Sequence, residues 1–546
     1  MAQHKEKILP SMKKPILKKP NHSTRCTKRS VTARPLLLAL MPALIFTPNA
    51  SVGGFFKSHA QEASLENKWI ADGQATLKAR KAVRPNKRRA KNVILFIADG
   101  MDPTTITAAR IYDGQSRGEQ GEENLLSFER FPYLAMSKTY NTNAQTPDSA
   151  GTMTAMITGV KTKAGVISLN DNVETNNCAS ATKAGALTIA ELAEMAGMAT
   201  GIISTARLTH ATPAAVYAHA ANRDWEADTN LSQEAITNGC KDIARQLIEF
   251  EYGDGIDLAM AGGRRNFLPE TFADPEDEGK NGIRKDGRNL VEEWLSKSPA
   301  HSYVWNSEGF NAIDPESSPR VLGLFERSHM QYELDRTSAG EPTEPSLSEM
   351  TAKAIEILSK DKDGYFLMVE AGRVDHAHHG GNARRALHDA QMFSQAIAKA
   401  REMTNDRDTL IIATADHGHT LSIQGYPKKG NDILGVVRSP YELFNNEEGV
   451  ALAQDKKPYT TLAYANGPGY KNSGAERPAP TDETTADHDY QQSAAIPLGS
   501  ETHGGQDVTI YANGPRSYLF GGTVEQSYIF HVMENALNLK KRAKKK

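Results

Sequence analysis

Lys91-Asn92-Val93-Ile94-Leu95-Phe96-Ile97-Ala98-Asp99-Gly100-Met101 is the stretch that decides how this chain is read. Val93 to Ala98 is an unbroken apolar run that ends in an aspartate and a glycine. A strand with one wet face alternates in polarity, whereas a continuous run belongs to a strand buried on both faces, as in a parallel sheet. Further runs of this kind follow at 201–205, 256–260, 365–369 and 409–414. Helical periodicity lies between them, over 188–196, 347–358 and 384–403. The alternation predicts an α/β fold, a three-layer α/β/α sandwich around a large, mostly parallel central sheet.

Working outward from that core, the 546 residues are 39% hydrophobic and 24% charged, which excludes a disordered or collagen-like chain. Residues 1–60 hold eight Lys, three Arg and one Glu, a net of +10, so the formal −2 of the whole leaves −12 on the rest. An acidic body without a basic stripe argues against a nucleic-acid partner. The basic start, the apolar run 35–46 and the small residues beyond it read as a secretory signal, with cleavage after Ala50 or after Ala60, the alternatives being a start at Met12 or an uncleaved anchor. The expectation is an exported protein, periplasmic or extracellular, with no stable membrane anchor. Cys26 falls in this leader, leaving Cys178 and Cys240, which read either as one disulfide or as two buried thiols. Residues 61–90 are a polar lead-in, 91–419 the core, 420–502 a Gly/Pro/Tyr-rich insertion, and 503–546 the end of the core with a Lys-Arg tail. Within the core, 263–345 reads as irregular and acidic.

Three strand patterns end on carboxylates: Asp99, Glu370 and Asp416. Ligands of open α/β sheets sit at carboxyl ends of strands. Three carboxylates gathered there would need cations to stay ionised together. Glu370 opens the cluster Glu370-Ala-Gly-Arg-Val-Asp375-His376-Ala-His378-His379, in which Asp375 and His379 share one face of a helical turn. His376 and His378 read as bystanders. Asp416-His417 is followed by His419, and much later Glu501-Thr-His503-Gly-Gly offers another imidazole. Imidazole with carboxylate suits zinc; carboxylate with hydroxyl suits magnesium. Thr146-Pro-Asp148-Ser149-Ala-Gly-Thr places a serine at the start of a helix, either as an ordinary N-cap or as a nucleophile in the positive end of the helix dipole. Arg223 suits bidentate capture of phosphate oxygens, but by itself reads equally as a surface arginine paired with Asp224.

These motifs, together with Ser204-Thr-Ala-Arg-Leu-Thr-His210-Ala-Thr212-Pro-Ala, follow in order from about Lys91 to about Asn535 and resemble the alkaline phosphatases, closer to the animal-type branch. The resemblance implies hydrolysis of a broad range of phosphomonoesters with two zinc ions and one magnesium ion. It makes Ser149 the phosphorylated nucleophile and a metal contact, and Arg223 the phosphoryl clamp. It assigns Asp375, His379 and His503 to one zinc, and Asp99, Asp416 and His417 to the other. Asp99, Thr212 and Glu370 fall to magnesium, with His210 close behind them. It further implies a calcium site at Glu276, the Phe325 carbonyl, Glu326 and Glu344, the last standing where aspartate is usual. It also implies a Cys178–Cys240 disulfide, a crown-like role for 420–502 and a homodimer. The nearest competing readings are a phosphodiesterase-type hydrolase of the same superfold and a phosphate- or metal-binding protein without turnover. The residues after Ser149 do not match a sulfatase's modified-nucleophile motif.

Overall fold

The run 93–98 forms the middle of a ten-stranded sheet in the computed structural model, which describes residues 67–544 except 318, 339 and 472–475. The signal reading and Cys26 lie outside the described residues. In chain order the strands are β1 (Asn92–Ala98), β2 (Tyr133–Lys138), β3 (Ala199–Arg207), β4 (Leu258–Gly262), β5 (His301–Val304), β6 (Arg320–Leu324), β7 (Tyr365–Ala371) and β8 (Thr409–Thr414). They continue as β9 (Gly418–His419), β10 (Leu421–Ile423), β11 (Leu462–Gly467), β12 (Ala494–Pro497), β13 (His503–Gly504), β14 (Val508–Asn513) and β15 (Thr523–Glu525).

The large sheet runs β15–β2–β14–β8–β1–β7–β3–β4–β6–β5. Its pairings are parallel except where β14 meets β2 and β8. β1 is hydrogen-bonded to β7 on one side and β8 on the other, and Val93 to Ala98 are fully buried. Two cores cover the faces. On one, Leu95 and Ile97 pack with Met153, Ile189 and Val216; on the other, Ile94 and Phe96 pack with Ile355, Leu387 and Phe393. The period-two alternation of a strand sends consecutive β1 side chains to opposite layers, so a strand in this position must be apolar throughout.

The helices form where amphipathic stripes predict them: Ile189–Met195, Leu347–Leu358 and Ala383–Met403. Capping boxes open the first two, Thr188 with Glu191 and Ser346 with Glu349. Residues 263–345, read from sequence as irregular, contribute β5 and β6 to the sheet edge and the short helices Leu290–Ser296 and Ser307–Asn311. These elements are only four to seven residues long, too short to leave a periodic signature. Most of the segment 420–502 lies outside the large sheet and builds the three-stranded sheet β10–β11–β12. By contact the chain divides at Leu77/Lys78. The described part of the first unit is the start of the helix Lys68–Ala82, every residue of which is exposed, and the second unit holds the whole sheet.

Candidate active site

The strand-end carboxylates converge because β8, β1 and β7 are neighbours. Ile97 of β1 is in register with Glu370 of β7 and Thr414 of β8, so Asp99, Glu370 and Asp416 emerge at the same edge of the sheet. All three are completely buried. Burial pushes Asp99 well above the usual carboxylate range, and the charges of Asp416, Asp375 and Glu370 push the same way. Burial likewise lifts Glu370 to about 8, against the hydrogen bond from Ser204 Oγ at 2.5 Å. Asp416 is raised by burial although Gly100 N–H and His417 N–H donate to its Oδ1 at 3.1 and 2.9 Å.

The imidazoles arrive by two routes. The helix Arg373–His379 begins right after β7 and puts Asp375 and His379 on one face, His379 Nε2 lying 3.3 Å from Asp375 Oδ1. The β9–β13 ribbon pairs His419 with His503 and Gly418 with Gly504. His503 stacks on His417 with ring centroids 3.6 Å apart.

Ser149 is the first residue of the buried helix Ser149–Thr158. The preceding Asp148 caps that helix through Gly151 N–H at 3.2 Å and also accepts from Gly165 N–H at 2.9 Å. Ser149 Oγ lies 3.1 Å from His417 Nε2, which is itself 3.2 Å from Asp99 Oδ1 and from Asp416 Oδ2. Arg223 Nη1 donates to Asp148 Oδ2 at 3.0 Å, and its Nη2 meets His210 Nε2 at 3.0 Å. Burial, reinforced by the Arg223 charge, holds His210 well below its ordinary range, so its ring is neutral beside the guanidinium. Thr212 opens the helix Ala211–Tyr217 and its hydroxyl faces Glu370.

The donor set fits metal ions. His379 Nδ1 lies 2.5 Å from the Glu501 carbonyl and His503 Nδ1 2.8 Å from the Pro147 carbonyl. Each ring therefore carries its proton on Nδ1, and the two Nε2 lone pairs face each other at 3.1 Å beside Asp375 Oδ1. Three lone pairs directed at one point repel unless a cation sits among them. Both Asp99 oxygens, Glu370 Oε1 and His417 Nδ1 are buried without hydrogen-bond partners. Asp99–Asp416–His417 and Asp99–His210–Glu370 each bring ligand atoms within 4.8 Å of one another, as do Asp375–His417–His419–His503.

Every residue that the sequence assigns to Ser149, Arg223 and the zinc and magnesium sets thus lies in one cluster. His376 and His378 stand apart from the ligand groups. His378 is held by Tyr464 OH at 2.8 Å and Thr105 Oγ1 at 3.2 Å, while His376 packs its ring on His329. Sequence reasoning gave no role to Glu501, Asp148 or His419. Glu501 joins His379 and His419 in a further ligand group. The alternation in Asp-His417-Gly-His419 was the available signal, since a two-residue step on a strand returns a side chain to the same face.

Away from this cluster, Glu276, Glu326 and Glu344 form an acidic group. Burial, then the charge of Glu326, raises Glu344 to about 8, and its Oε2 has no partner. Gln331 donates from its backbone to Glu344 and from its side chain to Glu326, at 2.8 and 3.2 Å. Arg264 holds Glu276 at 2.9 Å. Cys178 and Cys240 are joined as a disulfide.

The family model for alkaline phosphatase matches residues 90–539. The tissue-nonspecific alkaline phosphatase of Felis catus is 45% identical over 475 residues, 86% of this chain and 88% of the relative, and the human isozyme is 44% identical over the same span. An alkaline phosphatase of Gadus morhua is 43% identical over 488 residues, 88% of this chain and 98% of its own. Among solved structures, the alkaline phosphatase of Thermus thermophilus shares the fold with a TM-score of 0.60 at 24% identity, covering 84% of this chain and 96% of that one. From the matched span of 90–539 and the identity to these relatives, the chain belongs to the alkaline phosphatase family.

Proposed function

We propose that Ser149 is the nucleophile of a two-step phosphoryl transfer. The family makes the chain a hydrolase of phosphate monoesters. The observation that carries the mechanism is the place of Ser149: its Oγ stands at the head of a buried helix, 3.1 Å from His417, within a group of carboxylates and imidazoles. In the first step Ser149 Oγ forms a bond to phosphorus while the ester oxygen leaves as the alcohol. In the second, water attacks phosphorus and Ser149 Oγ leaves, releasing inorganic phosphate.

The chain's own groups suit both steps. The positive end of the helix Ser149–Thr158 favours negative charge at Ser149 Oγ. Arg223 is half-buried and keeps one arm on Asp148, which orients its fork for the equatorial phosphoryl oxygens. Asp375, His379 and His503 would hold one zinc ion and Asp99, Asp416 and His417 a second. Asp99, Thr212 and Glu370 would hold magnesium, His210 lying behind them. A solved relative of the fold, a TAB5 variant, carries Mg in its own M3 site. Bound there, the ions would lower the pKa of the serine hydroxyl and of water and offset charge on the leaving oxygen. Glu276, the Phe325 carbonyl, Glu326 and Glu344 would hold calcium; burial and then the Glu276 charge raise Glu326, and burial and then the Glu326 charge raise Glu344, which supports a cation among them.

We also read the protein as an exported homodimer. The Cys178–Cys240 disulfide suits an oxidising compartment. Exposed Tyr441, Leu443, Phe444, Ile496 and Leu498 in the 420–502 region suit a covered face. Among the described residues no helix is long and apolar enough to cross a membrane.

The test compares p-nitrophenyl phosphate with bis(p-nitrophenyl) phosphate as purified, after chelation and after zinc and magnesium are returned, with acid quench to trap phosphoserine. Monoester turnover that chelation abolishes and metals restore, with phosphate on Ser149, is expected. Preference for the diester, or turnover unchanged in Ser149→Ala, overturns the assignment.

A further inference from the structure

The segment 420–502 contains a cavity of about 400 Å³ whose walls include Tyr459, Tyr470, Lys471, Arg477, Pro478 and Tyr490. Its lining is mainly apolar and aromatic, with hydroxyl, amide and cationic side chains set among these, the composition of a small-molecule site. Two cations reach it, and they differ. Arg477 is spent on Asp455, donating from Nε and Nη2 at 2.9 and 2.7 Å. Among the described residues Lys471 Nζ meets the Pro468 carbonyl at 3.5 Å and Gln491 Oε1 at 3.3 Å, and no carboxylate there pairs with it. Aromatic walls alone would also suit an organic cation. With Arg477 neutralised by Asp455, the positive charge left in the lining is Lys471, which disfavours an organic cation and favours a carboxylate.

The cavity wall is tied to the catalytic cluster by backbone. Gln491 Nε2 donates to the Gly380 carbonyl at 3.1 Å, and Gln492 N–H to the Gly381 carbonyl at 2.9 Å. Gln492 Oε1 accepts from Ala383 N–H at 2.7 Å, and Asn382 Nδ2 donates to the His488 carbonyl at 2.6 Å. Residues 488–492 therefore clamp the turn that follows His379, while Tyr490 and Gln491 face the cavity.

We propose that this cavity binds a small planar aromatic carboxylate, its ring against the tyrosines and its charge on Lys471, and that occupancy is transmitted through Gly380 and Gly381 to His379. The binding stands alone; the effect on turnover rests on the reading of His379 as part of the active site. Coupling requires that the ligand favour one arrangement of the clamp over another.

The test is calorimetric titration of the full, metal-loaded protein with 2-naphthoate and with its neutral counterpart 2-naphthamide. Naphthoate is expected to bind at least tenfold more tightly, and Lys471→Met, which should leave basal turnover within twofold, is expected to erase that difference. Tyr490→Ala should weaken both probes at least tenfold. At saturating p-nitrophenyl phosphate, naphthoate should change kcat at least twofold, and inorganic phosphate should not displace it. Equal affinity for the two probes, no binding, or indifference to Lys471→Met overturns the site, whether or not the protein hydrolyses esters. Displacement by phosphate places the probe at Ser149 and also overturns it. Tight binding with kcat unchanged overturns the coupling.

Discussion

His419 Nε2 donates to Asp375 Oδ1 at 2.9 Å while its Nδ1 donates to Glu501 Oε2 at 2.6 Å. Burial disfavours charge on this ring, but the two carboxylates prevail and raise it to about 10. Asp375 moves oppositely: despite its burial, His379, His419 and His503 hold it well below the usual range. A protonated imidazole thus fixes the carboxylate at the centre of one ligand set. Partners behind metal ligands typically contribute 10–100-fold in affinity. His419→Ala is expected to raise the zinc concentration for half-maximal activity by about that factor, with kcat largely recovered at saturating zinc. A kcat loss that zinc does not rescue would give His419 a different role.

Stability of the metal-free protein should depend on pH in a direction set by the buried acids. Burial raises Glu370 to about 8 and Glu344 to about 8, so both are protonated in the fold at neutral pH but ionised in the unfolded chain. The folded state then binds more protons, and stability falls as pH rises toward about 8. His419, held near 10, loses its contribution over a range that starts at the ordinary histidine pKa and so acts in the same direction. Chelated protein should melt progressively lower from pH 7 to 9. Protein reloaded with zinc, magnesium and calcium should show a shallower decline. Equal slopes would argue that these carboxyls are not where the metals bind.

Gly100 follows β1 with φ of +73°, and a Cβ there would lie 2.4 Å from His419 Nε2. Gly100→Ala therefore meets backbone strain of order 1–3 kcal/mol and a clash with the ring that fixes Asp375. Reduced thermal stability is expected together with weaker zinc binding. The same substitution at Gly118, which also has positive φ but open space around it, should cost stability without touching metal affinity.

The contrast between β1 and β14 shows what the sequence could convey. Val93 to Ala98 reports a strand buried on both faces because no polar residue interrupts it. Val508–Asn513 alternates, runs antiparallel, and carries Tyr511 and Asn513 on a half-buried face, so its pattern is shared by many loops. β2, which pairs with it, is similarly mixed. At the site, Asp99, Glu370 and Asp416 are legible because each terminates such a run. The role of Glu501 is not, because it depends on the β9–β13 ribbon bringing position 501 to His419 across 82 residues. Register between distant short strands leaves no local trace.

The Cys178–Cys240 disulfide closes a loop with a sequence separation of 62. Its cysteines belong to the layer that carries the Ser149 helix, since Cys178 is fully buried in that core and Cys240 packs against it. In the loop-entropy model a closure of this length stabilises the fold by about 4 kcal/mol, chiefly by restricting the unfolded chain. The double variant Cys178→Ala/Cys240→Ala should unfold at lower denaturant concentration by that order of free energy. Its kcat should stay near that of the parent, because neither Cys178 nor Cys240 belongs to the cluster around Ser149. A large fall in kcat in protein that remains folded would instead mean that the bridge positions the 199–223 segment carrying Thr212 and Arg223. Restoring the rate with excess magnesium, but not with zinc, would then point to Thr212 as the residue displaced.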